Sequence, residues 1–254
     1  MKLIKHKKPG AILITIIFML IQQPIQGQDN ISSGIIQADQ FNLSYVIEGE
    51  GKPAIVIGSS IYYPRTFSQH LRKQLKFIFL DHRGFAPSPN NVDTTDFSLD
   101  KILMDIERTR QKLELGKIMI IGHSGHSFMA LEYAKKYPEN VTNVVMIGIA
   151  PDLSESNGKL ALQNWQESVD PERKKTMEKN LLRFPNEKLA QLSPSQAYIQ
   201  TYIRNGPIAW YNPQFDSSPL WKGVEINMDM FNYMWGRVFR DIDITKKLKL
   251  IYST

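Results

Sequence analysis

The stretch Lys117-Ile118-Met119-Ile120-Ile121-Gly122-His123-Ser124-Gly125-His126-Ser127 decides how this chain folds. Its apolar run has the length of a buried strand, and it breaks at a Gly-x-Ser. Beyond the break Phe128, Met129, Leu131, Tyr133 and Ala134 recur at spacings that suit a helix, which Tyr137-Pro138 must end. A strand that feeds a helix through Gly-x-Ser makes a tight, strained turn and pushes the serine out at its tip. A serine hydroxyl becomes a nucleophile when a base removes its proton and nearby amides hold the oxyanion. The turn therefore offers Ser124 as a nucleophile and the Gly125 amide as one oxyanion donor. His126 stands where this motif normally has a second glycine, which lets the helix start close to neighbouring strands, so small residues are expected opposite it.

Working outward, Gly34–Asp39 and Phe41–Gly49 read as a hairpin, the second strand alternating apolar and polar before a glycine turn. Pro53–Gly58 and Phe77–Asp81 are continuous apolar runs, as strands buried on both faces require, and Pro64 to Leu75 between them suits a helix. Ser98 is a good N-cap for a helix with Leu99, Ile102, Leu103, Ile106 and Leu113 on one face. Val144–Ala150 supplies one more buried strand. Strands alternating with helices argue an α/β fold with a mainly parallel sheet, helices on both faces and a site at the carboxyl ends of the strands.

From 153 to 240 the pattern turns helical, with no convincing buried strand, and reads as an inserted cap. Its aromatics, among them Trp165, Tyr198, Tyr202, Trp210, Tyr211, Trp221, Tyr233 and Trp235, are candidates to line a substrate pocket or to pack against the core. The organisation expected is a signal peptide over 1–27, a core over 28–152, the cap over 153–240 and a return to the core over 241–254.

The amino terminus has the layout of a secretory signal: Lys2, Lys5, Lys7 and Lys8, an apolar run from Ala11 to Ile21, then a polar stretch ending near Gly27. The run is short of the roughly 20 residues that a spanning helix needs, so a periplasmic or secreted product is expected, with an uncleaved anchor as the alternative. Losing those lysines takes the formal net charge from +6 to +2, and Arg173-Lys174-Lys175 sits beside Glu172 as a solvated helix face would, so no nucleic-acid partner is expected. A composition of 42% hydrophobic and 22% charged residues is that of a globular chain, and the absence of cysteine excludes a disulfide framework.

Three stretches, Val56-Ile57-Gly58-Ser59-Ser60, Leu80-Asp81-His82-Arg83-Gly84-Phe85-Ala86-Pro87-Ser88 and Gly122-His123-Ser124-Gly125-His126, together resemble the α/β-hydrolase superfamily over about residues 34 to 250. The Asp-x-Arg-Gly turn, the serine turn and the late helical insertion are similar to its proline iminopeptidase-like branch. The resemblance implies Ser124 as nucleophile and a second oxyanion amide at Ser59. Ser60 is the alternative, because Ile57-Gly58 stands where the family usually has His-Gly. It implies no metal and no organic cofactor, a small-molecule or peptide substrate, and a fold-supporting ion pair from Asp81 and Arg83.

The family's triad places an acid and then a histidine after the serine. All 5 histidines, His6, His70, His82, His123 and His126, lie at or before the serine turn. His126, two residues beyond Ser124 on a helix, is expected on a different face, and His123 and His126 read as packing residues. The run Leu248–Thr254 corresponds to the region just before the acid-bearing strand, so the chain reads as truncated, its C-terminal strands missing, with Asp152 the sole internal candidate for the acid. The function expected is an exported serine hydrolase cleaving an ester or an amide through an acyl-enzyme on Ser124, with poor activity. A catalytically inactive binding protein or a gene fragment is the alternative. A peptidase would need a carboxylate for a free amine, and Glu155, Glu167 and Glu225 are the candidates.

Overall fold

A computed structural model describes residues 31–245. The expected signal segment over 1–27 and the run Leu248–Thr254 lie outside the described residues. Six strands form one mixed sheet: β1 (Ser32–Ala38), β2 (Phe41–Glu48), β3 (Lys52–Gly58), β4 (Leu75–Asp81), β5 (Ile118–His123) and β6 (Val141–Ile147), in the order β1-β2-β4-β3-β5-β6. β2 is antiparallel to both neighbours, whereas β4, β3, β5 and β6 run parallel. The hairpin turns in two residues, with Ala38 paired to Phe41, and Asp39 takes the left-handed φ of +53° that an aspartate tolerates. β3 and β4 are buried from Ala54 and Phe77 onward, as unbroken apolar runs require.

Helices α1 (Leu99–Lys112) and α2 (His126–Lys136) pack on the sheet. The Ser98 hydroxyl caps α1 by accepting from the Lys101 amide, and Ile102, Leu103 and Ile106 face the core. Two expected elements differ. Pro64 to Leu75 forms two short 3-10 turns, Tyr63–Arg65 and Leu71–Lys73, in place of a helix. The reason is Arg72, whose buried guanidinium takes the carbonyls of Pro64 (2.7 Å), Phe67 (2.8 Å) and Ser68 (3.1 Å) and the Glu48 carboxylate (2.6 Å). The Pro64 and Phe67 carbonyls thus serve a side chain in place of a helical amide, and Ser68 O shares Arg72 with the Leu71 amide (3.2 Å) of the second 3-10 turn. The last strand starts at Val141, which pairs with Ile118, and stops before Gly148, whose φ of +62° leaves the extended region, so the expected Val144–Ala150 is shifted.

After β6 the chain is helical: α3 (Glu155–Ser168), α4 (Pro171–Arg183), α5 (Asn186–Leu189), α6 (Pro194–Arg204), α7 (Gly206–Ala209), α8 (Ser218–Trp221) and α9 (Met228–Gly236). It leaves and returns at one place, where Asp152 bridges Asp243 and the Ile244 amide donates to Pro151 O (3.0 Å). α9 buries Met230, Phe231 and Met234 in the core cluster. No helix among the described residues is long and apolar enough to cross a membrane.

The Asp-x-Arg-Gly turn is held otherwise than expected. Arg83 is fully buried and does not pair with Asp81. It makes a fork to Asp105 of α1 (2.6 and 3.0 Å), reaches Asp39 (2.9 Å) and stacks over Phe41 (4.8 Å). Asp81 instead accepts from the Ser60 amide (2.6 Å). The 3-10 turn Arg83–Phe85 takes Arg83 off the strand towards α1, while Asp81 stays at the strand end beside the loop after β3.

Candidate functional site

β3 and β5 are parallel neighbours, so the loop after β3 and the turn after β5 emerge side by side at the carboxyl edge of the sheet. Ser124 has φ +54°, a strained value for a non-glycine residue, held by its amide on Ile147 O (2.8 Å) and by the Ser127 amide on its own carbonyl (2.9 Å). The small residue expected opposite His126 is Gly122 on the strand side. A Cβ there would stand 2.3 Å from His126 O and 2.6 Å from Ser127 Cα.

Ser124 opens into a cavity of about 420 Å³ whose walls are largely aromatic, with Tyr62, Tyr63, Phe85, Phe231 and Trp235 beside it. Tyr198, Tyr202, Trp210 and Trp221 of the helical stretch line it too, whereas Trp165, Tyr211 and Tyr233 do not, and Tyr211 is 99% exposed. Phe231 and Trp235 stack at 4.4 Å, and the indole lies over Gly125 so closely that a Cβ on that glycine would stand 2.7 Å from Trp235 Nε1. Among the described residues no Asp, Glu, Lys or Arg lines this cavity.

Ser59 is buried and turned into its own loop, its Oγ accepting from the amides of Ile61 (3.2 Å) and Tyr62 (3.1 Å). Neither Ser59 nor Gly125 lines the cavity itself. The Ser60 amide is spent on Asp81, which removes it as the alternative oxyanion donor. Burial pushes the Asp81 carboxyl up to about 7 despite that bond. Asp152, the expected internal acid, binds the Ser154 amide (2.8 Å) and Asn157 Nδ2 (2.7 Å) at the start of α3, and those bonds, Ser154 first, hold its carboxyl below the usual range. It is absent from the cavity wall, as are Glu155, Glu167 and Glu225. Glu155 pairs with Lys159, Glu167 accepts from Gln163, and Glu225 accepts from Ser195.

His123 and His126, expected as packing residues, both line the cavity and belong to a hydrogen-bonded chain. The order of its protons follows from one unambiguous donor. The Gly84 amide donates to His82 Nδ1 (2.9 Å), so His82 carries its proton on Nε2 and donates to His126 Nε2 (2.9 Å). His126 therefore carries its own on Nδ1, which agrees independently with its contact to the His123 carbonyl (3.1 Å), an acceptor only. Its Nδ1 also meets Tyr63 Oη (3.0 Å), leaving the Tyr63 proton for His123 Nδ1 (3.3 Å). Burial lowers the basicity of all three imidazoles: His82 falls well below its ordinary value, His126 to about 3, and His123 is lowered as well. His126 has no lone pair left for the Ser124 proton, and the Nδ1 lone pair of His123 is held by Tyr63. Tyr63 also explains Gly58, at φ +144°, where a Cβ would stand 2.1 Å from the Tyr63 ring.

Sequence reasoning missed Tyr62, Tyr63, Phe85 and Phe231. The first two had a signal, since they come just after Ser60 and Ile61 in the loop that carries the expected oxyanion amide.

A mixed sheet whose parallel strand β5 ends in a strained serine turn, under a cavity roofed by a helical excursion, defines an α/β protein of the nucleophile-elbow type. The chain belongs to the α/β-hydrolase family: the family model described as alpha/beta hydrolase fold matches residues 47–204. It is 40% identical over 216 residues to the AB hydrolase superfamily protein YclE of Bacillus subtilis (strain 168), covering 85% of this chain and 76% of that one. It is 24% identical over 245 residues to a proline iminopeptidase of Heyndrickxia coagulans, covering 89% and 78%. Among solved structures, a proline iminopeptidase-related protein from Thermus thermophilus superposes with a TM-score of 0.56 at 17% identity, over 85% of this chain and 75% of that one, a likeness of fold alone.

Proposed function

We propose that the protein is a serine hydrolase acting on neutral esters, with Ser124 as nucleophile and the amides of Gly125 and Ser59 as oxyanion donors. The observation that carries this is the left-handed Ser124 at the tip of its turn, opening into an aromatic cavity that contains no charged side chain among the described residues. Ser124 Oγ would attack the ester carbonyl as its C–O bond to the alcohol breaks, the serine proton leaving on the alcohol, and water would then cleave the acyl-enzyme to the acid and return a proton to Ser124. Among the described residues no carboxylate of the kind a free amine requires lines the cavity, which favours an ester over an aminopeptidase substrate. Export, with removal of residues up to about Gly27, is part of the same proposal and rests on the basic and apolar amino-terminal segment.

A second reading is a binding protein on the same scaffold. It is favoured by the histidine chain, because His126 has no free lone pair and that of His123 is engaged by Tyr63. Labelling with a fluorophosphonate separates the two. On this proposal a serine without an assigned base would keep the help of the oxyanion donors, so slow labelling is expected, lost in Ser124→Ala and retained in His126→Gln. No labelling of a protein that is folded by circular dichroism would favour the binding protein.

A further inference from the structure

The histidine chain leaves one proton unspent, on His123, which lines the cavity. His123 accepts from Tyr63 at Nδ1, so its neutral ring carries the remaining proton on Nε2. The alternative tautomer would set the Tyr63 hydroxyl between two N–H groups, with no acceptor for its own proton. Beside that nitrogen stands Gly148, at φ +62°, where even an added Cβ would remain 3.8 Å from His123 Nε2. The ring edge that carries this donor therefore lies beside Gly148 at the cavity wall, one residue before Ser124.

Other donors stand on the same wall. Trp235 Nε1 can only donate. The Tyr198 hydroxyl donates to Tyr202 Oη (3.0 Å), which leaves Tyr202 its own proton for a ligand. A largely aromatic hollow with these donors and, among the described residues, no charged side chain is complementary to acceptor oxygens that carry no charge, and burying an amine or a bare carboxylate there would leave an unpaired ion.

We propose that His123 is a specificity-determining residue whose Nε2–H binds a second acceptor oxygen, an ether or carbonyl placed next to the ester group, so that the substrate class is a neutral, oxygen-bearing ester. This rests on reading the Ser124 cavity as the substrate site, and it does not require turnover. His82, His126 and Tyr63 act through His123 as positioning residues: they set which nitrogen carries its proton.

The test uses Ser124→Ala protein, in which no hydrolysis occurs, and two probes that differ by one ether oxygen for one methylene, methyl methoxyacetate and methyl butyrate. Nitrogen-15 correlation spectra should show His123 with Nε2 protonated and Nδ1 bare, and titration with methoxyacetate should move the Nε2 signal. Methoxyacetate should bind about fivefold better relative to butyrate than it does in the same protein carrying His123→Leu, the size expected of one net hydrogen bond. His123→Gln, which keeps an N–H donor, should retain most of that ratio, and Tyr63→Phe should mix the tautomers and weaken it. A ratio unchanged in a folded His123→Leu protein, or a His123 found protonated on Nδ1, overturns the proposal. Failure of fluorophosphonate labelling in the parent protein would count against the hydrolase reading and leave this one standing.

Discussion

His82 Nε2 and His126 Nε2 face each other at 2.9 Å with both rings buried, and one proton lies between them. Phe85, Phe231 and Trp235 pack around His82 and, among the described residues, no acid pairs with either ring, so neither ring can ionise cheaply in the folded protein. In the unfolded chain both titrate near 6.5. Their folded values are depressed, so the stability they contribute is present above pH 6.5 and is lost as pH falls towards about 3. Each should steepen the loss by up to about 1.4 kcal/mol per pH unit. Urea unfolding at pH 7 and pH 5 measures this, and the double variant His82→Leu/His126→Leu should flatten the slope. An unchanged slope would mean that the pair is protonated in the fold.

Asp81 pulls in the opposite direction. Its folded value is raised from 3.8 to about 7 by burial, so the stability it contributes is complete below pH 3.8 and is lost as pH rises through 7. Asparagine keeps the acceptor for the Ser60 amide and cannot ionise. Asp81→Asn should therefore gain on the parent protein as pH rises, reaching about 1–3 kcal/mol at pH 7.5. Unfolding curves for the pair at pH 5 and pH 7.5 decide it, and the same difference at both values would refute the buried-acid account.

The reach of the sequence follows from the range of the interactions involved. β3, β4 and β5 were legible because a strand buried on both faces announces itself as an unbroken apolar run. The serine turn was legible because its geometry is encoded by adjacent residues. The Pro64–Leu75 segment was misread because Arg72 spends its donors on three carbonyls of its own loop and on Glu48, a competition that apolar periodicity does not record. The Arg83 partner was misassigned for a related reason: Asp81 is two residues away in the chain, but Asp105 is the one that α1 brings into contact. The histidine chain joins residues 44 and 63 positions apart, and its proton order depends on one backbone amide, so nothing local signals it.

Gly122 should tolerate no side chain. The atoms a Cβ would meet, His126 C and O and Ser127 Cα, all belong to the backbone of the first turn of α2 and cannot rotate away. Gly122→Ala should cost on the order of 3 kcal/mol and displace Ser124 from the tip of its turn. The expected result is a lower urea midpoint together with lost fluorophosphonate labelling. Full stability with unchanged labelling would show that the helix can recede from β5 at no cost.

The last expectation concerns what holds the roof over the cavity. Arg65, in the turn after β3, donates from one nitrogen to the carbonyls of Pro219 (3.3 Å), Leu220 (2.9 Å) and Lys222 (2.8 Å), and the neighbouring Tyr62 ring packs on Trp221 at 4.4 Å. One guanidinium thus ties α8 to the loop that also carries Ser59. Hydrogen bonds from a charged donor are worth more than neutral ones, and a short helix has few other bonds to hold it. Arg65→Ala should loosen α8 locally while the sheet stays intact. The Leu220 and Val224 amides, which donate to Ser217 and Trp221, should exchange with solvent about tenfold faster. The Asn227 amide, bonded to Gly84 O at 2.8 Å, should keep its rate. Arg65→Lys retains the charge on a single ammonium and should fall between the two. Equal acceleration at Asn227 would show that the substitution disturbs the fold as a whole, and no acceleration at Leu220 would leave Tyr62 and Trp221 as sufficient to hold α8 in place.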